Sequence, residues 1–223
     1  MRRQVLRQDA IPPQLKELDV ISLMLRRMAI GLALGASLAT ITHAADNTPD
    51  EGSTAEDETL VINGCPIWPY TRCPGADLRH ASLAGKNLAG ADLRGADLSR
   101  ADLRGANLAG ANLEGANLTA ARLQKATAAS TNFRNARLVG ADLEAARLMR
   151  SDFSGADFTA ASLEFARPNF AWFVGAKFVA TNLQEAKFVS VNLNDAVMEA
   201  CITRFAIFSD SSLENCRGCP SGW

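Results

Sequence analysis

Aromatic residues are scarce in this 223-residue chain, at 6% with a single Tyr, and the 48% hydrophobic content is carried largely by Ala and Leu. That bias is what a short repeated unit produces, so internal periods are the first thing to seek. Neither sign of charge is in excess: 23 Lys and Arg against 24 Asp and Glu leave a net charge of -1. A general nucleic-acid binder would carry a basic surplus, so that class is excluded. Histidine is nearly absent; beyond the N-terminal segment only His80 remains. No nucleophile–base pair or phosphate-cradling loop stands out, and the Asp and Ser side chains of the later chain read as outward-facing, so the sequence argues against an enzyme and calls for no cofactor.

Long apolar runs are also missing. Residues 28–41 form an uncharged stretch of small and apolar residues, too short to span a bilayer comfortably. Arg26 and Arg27 precede it and Thr42-His43-Ala44 follows, the three-part pattern of a secretory signal, with cleavage expected near Ala44 or Ala45. No Cys stands there to take a lipid. Residues 1–23 are unusual ahead of such a signal: they are either a long basic lead-in, or translation begins at Met24 or Met28. The signal region is therefore set at 1–45 and predicts a periplasmic or secreted bacterial protein with no membrane span in its mature form. Residues 46–60 follow as a linker whose segment 46–59 has six acidic residues and no basic one, a composition that does not bury enough apolar surface to fold.

What is abundant is a five-residue unit. From Ala76 the chain reads ADLRH ASLAG KNLAG ADLRG ADLSR ADLRG ANLAG, and the frame holds through Asn215 for 28 pentads without insertion or deletion. The third residue is Leu, Phe or Met in 25 of them, the exceptions being Ala128, Pro168 and Thr203. The first is small except at Lys86, the second is mostly Asp, Asn, Ser or Arg, and the fifth is often Gly. A period of five fits neither a helix nor a strand. One large and one small inward position per unit require a chain that turns after every pentad, with Gly and Asn at the corners. A single pentad cannot bury its own centre, so the coils must stack.

This A-(D/N)-L-x-x signature resembles that of the pentapeptide-repeat family. The resemblance implies an all-β fold, a right-handed quadrilateral β-helix with four pentads per coil and about seven coils over 76–215. Residues 61–75 are then an N-terminal cap and 216–223 a C-terminal tail. At about 4.8 Å per coil the rod would be roughly 34 Å long.

A twenty-residue coil stacks positions twenty apart and sorts the pentads onto four faces. One face stacks Phe133, Phe153 and Phe173 as an internal ladder. Another, centred on residues 88, 108, 128, 148, 168, 188 and 208, carries Lys86, Arg147, Arg150, Arg167 and Lys187 against a single acid, Asp210. Like charges on adjacent strands repel, so this strip is either solvated or built to meet an anion. In the later coils Phe165, Phe170, Trp172 and Phe205 occupy positions that early coils fill with small or polar residues, a candidate interface. The resemblance makes a homodimer through the C-terminal coils an expectation, since some family members pair that way.

Five cysteines remain. Cys65 and Cys73 bracket PIWPYTR, and a disulfide between them is expected to hold Trp68 and Tyr70 over the open end of the solenoid. Cys216 and Cys219 read as a C-terminal staple, with no thioredoxin-like pattern around them to suggest redox work. Cys201 reads either as a buried thiol or as a competing partner for Cys216. Three local Cys without a nearby His do not make a zinc site.

The leading functional expectation is an exported, non-enzymatic scaffold binding an envelope protein or an anionic envelope polymer. A DNA-mimicking topoisomerase binder of the quinolone-resistance kind, and a secreted effector, are the alternatives. The mimic expects an acidic rod, whereas residues 76–215 hold 15 acidic and 15 basic residues.

Overall fold

The computed structural model describes residues 60–220. The signal region 1–45 and nearly all of the acidic linker 46–60 lie outside them, as do residues 221–223.

Each pentad solves the same hydrogen-bonding problem. In Ala76–His80, the Leu78 N–H donates to Asp97 O of the next coil at 2.8 Å and the His80 N–H to Ser99 O at 3.0 Å. The second residue bonds in the other direction: the Asp97 N–H donates to Ala76 O at 2.9 Å. The first residue of the following unit closes the corner, Ala81 N–H to Leu78 O at 3.2 Å. The fifth residue has positive φ, 58° at His80, which with a normal fourth residue marks a type II turn. Only the fourth N–H is left over, and the second side chain takes it: Asp77 Oδ1 accepts from the Arg79 N–H at 3.2 Å. Asp and Asn are favoured there because an Asx turn supplies this acceptor two residues upstream.

Parallel bridges repeat this arrangement from Arg72–Asp92 to Val197–Arg217, each linking residues twenty apart. Four pentads per coil build a right-handed quadrilateral β-helix. Longer pairing appears at two places. Strand β1 (Val61–Ile62) meets β2 (Cys65–Pro66) in an antiparallel hairpin, and β3 (Lys177–Val179) runs parallel to β4 (Val197–Glu199). Among the described residues there is no helix long and apolar enough to cross a membrane.

The core is a column of centres flanked by Ala. Phe133 and Phe153 stack at 4.7 Å and Phe153 and Phe173 at 5.1 Å, as the twenty-residue stacking predicts. Two further ladders join it, Phe158–Phe178 at 5.0 Å and Phe188–Phe208 at 4.9 Å. Stacked aromatic pairs add about 0.5–1.5 kcal/mol beyond their burial. Pro168 fills a centre position but has no N–H to give to Lys187 O, and no bridge joins Arg167 to Lys187.

Three sequence expectations need correction. Not every Ser faces outward: Ser151 is fully buried at a first position, where its hydroxyl donates to Ala128 O. Thr131, Thr181 and Ser211 do the same toward Leu108, Phe158 and Phe188, so each of these four hydroxyls is satisfied by a carbonyl of the coil below. The bridge ladder also runs past 76–215 at both ends, through Arg72 and Arg217. Finally, Tyr70 does not cover the open end, its ring lying against the Gly90 corner. Tyr70 takes a corner, the place of a pentad's fifth residue, with φ 60° and its N–H on Ala89 O. Buried Cys65 and Ile67 fill the end instead.

Cys65 and Cys73 stand at disulfide distance with Cα atoms 5.7 Å apart, and so do Cys216 and Cys219, also at 5.7 Å. The C-terminal pair seats Gly218 against the Met198 carbonyl, where any Cβ would collide with backbone. Cys201 is free: its thiol donates to Phe178 O at 3.3 Å, and burial pushes its pKa up.

Candidate binding face

The face holding the basic strip differs from the other three in how its charges are paired. On those faces several arginines find carboxylates, whereas among the described residues no Lys or Arg of this face is ion-paired. Arg79 and Asp77 are 2.7 Å apart, Arg94 and Asp92 2.7 Å, Arg104 and Asp102 2.5 Å, and Arg134 and Asp152 3.2 Å. The guanidinium on each side chain holds Asp77 and Asp102 at a pKa of about 2. Among the described residues, no carboxylate comes within ion-pair distance of Arg147, Arg150, Arg167 or Lys187.

The register brings three of these together. Arg147 and Arg167 are bridge partners on adjacent coils, and Lys187 occupies the same position one coil further on. All three are exposed. Each takes the second place of its pentad, where Asp or Asn would otherwise cap the fourth N–H. Accordingly the amides of Met149, Asn169 and Val189 have no backbone or side-chain acceptor among the described residues. Three successive rungs thus give up a local hydrogen bond and hold like charges in a row.

Arg150 sits at the corner leaving this face, directly below Phe170 of the next coil. Lys86 belongs to the same face but stands three coils from Arg147, about 14 Å at 4.8 Å per coil, and is only half-exposed. It lies outside the contiguous strip.

The exposed aromatic residues do not form one patch. Phe165 and Phe205 share the corner column entering the basic face, two coils apart, with Glu185 between them. Phe170 and Trp172 stand at the corner leaving it. They line the two edges of the strip, and Arg204 lies over the Phe205 ring at 4.7 Å. Met149 and Ile207 add exposed apolar surface on the face itself. Sequence reasoning separated the basic strip from the aromatic cluster; the corner geometry joins them. Among the described residues no group of His, Cys, Asp or Glu side chains is placed to hold a metal ion.

The chain matches the family described as pentapeptide repeats, eight copies, over residues 72–110, 96–135 and 129–164. No curated protein matches it. Among solved structures, it is similar to a trypsin-treated form of QnrB1, a plasmid-mediated fluoroquinolone resistance protein, at 20% identity over 66% of this chain and 73% of that one, TM-score 0.43. It is similar to HetL, a pentapeptide repeat protein involved in heterocyst differentiation regulation from the cyanobacterium Nostoc sp. Strain PCC 7120, at 26% identity over 66% and 89%, TM-score 0.24. It is also similar to a pentapeptide repeat protein of the Arabidopsis thaliana thylakoid lumen, at 27% identity over 53% and 72%, TM-score 0.26.

Proposed function

The chain belongs to the pentapeptide-repeat family, and we propose that it is an exported, non-enzymatic scaffold whose basic face holds an acidic envelope protein or an anionic envelope polymer. The observation that carries this reading is the row of Arg147, Arg167 and Lys187, exposed at the same place on successive rungs without a carboxylate, on a face where no Lys or Arg is ion-paired among the described residues. An unpaired row of like charge is unfavourable by itself and favourable against an anion. Aromatic edges at Phe165, Phe170, Trp172 and Phe205 supply apolar contact on either side of it.

Export is supported by the signal pattern ending at Ala44 or Ala45 and by the two cysteine pairs at disulfide distance, which suit an oxidising compartment. A homodimer through the last coils is supported by exposed Ile202 and Phe205. The DNA-mimic reading has no acid-rich face here to rest on.

Fractionation of cells followed by N-terminal sequencing tests export: a mature chain starting at Ala45 or Asp46 outside the cytoplasm is expected, and full-length cytoplasmic protein contradicts it. A pull-down from envelope extract with Arg147→Ser/Arg167→Ser/Lys187→Ser beside the unaltered protein tests the face. Capture that survives the triple substitution unchanged removes the strip from the account.

A further inference from the structure

A second surface, on the early coils and away from the Arg147 ladder, has the form of a small-ligand site. It is a recess of about 470 Å³ bounded by Tyr70, Arg72, Gly90, Asp92, Arg94 and Asn112. That size falls within the range of ordinary ligand pockets, roughly 300–1,000 Å³.

Its wall is the chain's single tyrosine, 77% exposed. The Tyr70 backbone is fixed at a corner by its N–H on Ala89 O at 2.8 Å. The ring then lies along the next corner of the column, over Gly90. A Cβ at Gly90 would stand 2.5 Å from Tyr70 Cε1, so only glycine lets the ring settle there. The ring rests against the Gly90 corner and is otherwise exposed, which offers an aromatic platform beside the recess.

The polar groups beside the platform are specific. Asp92 is held by Arg94, whose Nε donates at 2.8 Å and Nη2 at 2.7 Å. Arg94 lowers the Asp92 pKa, so the carboxylate is charged and retains unused acceptor capacity on Oδ2. Asn112 Oδ1 is taken by the Glu114 N–H at 3.1 Å, which leaves its amide N–H₂ as the donor toward the recess. Arg72 has no ion pair among the described residues, so the two arginines and one aspartate leave one positive charge over.

We propose that this recess binds a pyranose unit carrying one carboxylate, a uronic-acid residue of an acidic glycan. The sugar's C–H face stacks on Tyr70, Arg72 takes the carboxylate, and Asp92 and Asn112 share adjacent hydroxyls as acceptor and donor. A nucleotide would also stack, but its phosphate brings about −1.5 to −2 of charge against the single positive charge that Arg72 leaves over. This site is separate from the basic face, and it stands or falls independently of that face.

The test uses the full mature chain and a galacturonate trimer, followed by titration of the Tyr70 ring resonances, which one tyrosine makes unambiguous. The neutral galactose trimer and adenosine monophosphate are run beside it. Saturable shifts with the galacturonate trimer, at least tenfold weaker binding of the neutral trimer, and at least tenfold loss in Arg72→Gln are expected. Tyr70→Ala, read by calorimetry, is expected to lose binding; Arg72→Gln alters an exposed side chain and keeps the result interpretable if Tyr70→Ala loosens the cap. Arg147→Ser/Arg167→Ser/Lys187→Ser is expected to bind the trimer as the unaltered protein does. Absence of saturable shifts, equal binding of neutral and acidic trimers, preference for the nucleotide, or unchanged affinity in Arg72→Gln overturns the proposal.

Discussion

Arg147 and Arg167 face each other across a parallel β-bridge, both exposed and neither within reach of a carboxylate. Directly opposed like charges destabilise a sheet by about 0.2–1 kcal/mol. Arg167→Ser is therefore expected to stabilise the isolated protein by a few tenths of a kcal/mol at low salt, on the scale of such cross-strand pairs. The gain should fade as salt screens the pair, over a Debye length of about 8–10 Å near physiological ionic strength. Urea unfolding at two salt concentrations reads this, and a loss of stability at both would mean that the pair is not repulsive.

Pro168 interrupts the ladder beside that pair. Its missing N–H leaves Lys187 O without the partner that Leu centres such as Leu163 and Leu183 provide, and the Leu148 N–H reaches Arg167 O at a longer 3.1 Å. Pro168→Leu restores the usual centre and is expected to add about 0.5–1.5 kcal/mol, the net worth of one hydrogen bond. Hydrogen exchange should show a protected amide at 168. An unprotected amide there would indicate that a local backbone distortion outlasts the proline.

The Phe153 ring lies between Phe133 and Phe173 in a fully buried column. Phe153→Ala should cost about 3–5 kcal/mol, since it removes both transfer energy and two stacked neighbours. Phe153→Leu, which restores the centre that most coils use, should cost under about 1.5 kcal/mol. Denaturant midpoints compare the two.

Asp77 and Asp102 have pKa values of about 2 because Arg79 and Arg104 bond their charged forms. A carboxylate with a lowered folded pKa contributes stability above its unfolded value, about 3.9, and loses it as pH falls toward the folded value. Stability is thus expected to be flat near neutral pH and to decline between about pH 4 and pH 2 on this account. Asp102→Asn keeps the Oδ1 acceptor for the Arg104 N–H and removes the charge, so it should flatten part of that decline. An unaltered acid profile in this variant would show that the pair is not the titrating element.

Much of this structure was legible because stacking here is arithmetic: a residue sits on the one twenty positions later. The four faces, the Phe133–Phe153–Phe173 ladder and the Arg147–Arg167–Lys187 row all follow from that offset. The position of Tyr70 did not, since the Leu pattern ends at Leu78 while the frame itself continues with Cys73 as a centre. The inward hydroxyls of Thr131 and Ser151 were hidden for a different reason. Their burial depends on a carbonyl one coil below, a partner 23 residues away. The link between basic strip and aromatic edges also needed the corners, because Phe165 and Phe170 close consecutive pentads and so flank the segment that carries Arg167.

The central claim is that the unpaired basic row meets an anion. Binding of dextran sulfate to the mature protein, measured by calorimetry across a salt series, tests it most directly. The account predicts saturable binding that weakens steeply with salt and is lost in Arg147→Ser/Arg167→Ser/Lys187→Ser, while triple substitution of Arg79, Arg94 and Arg104 to Ser leaves binding in place. Equal binding by the unaltered protein and the Arg147/Arg167/Lys187 variant would contradict it.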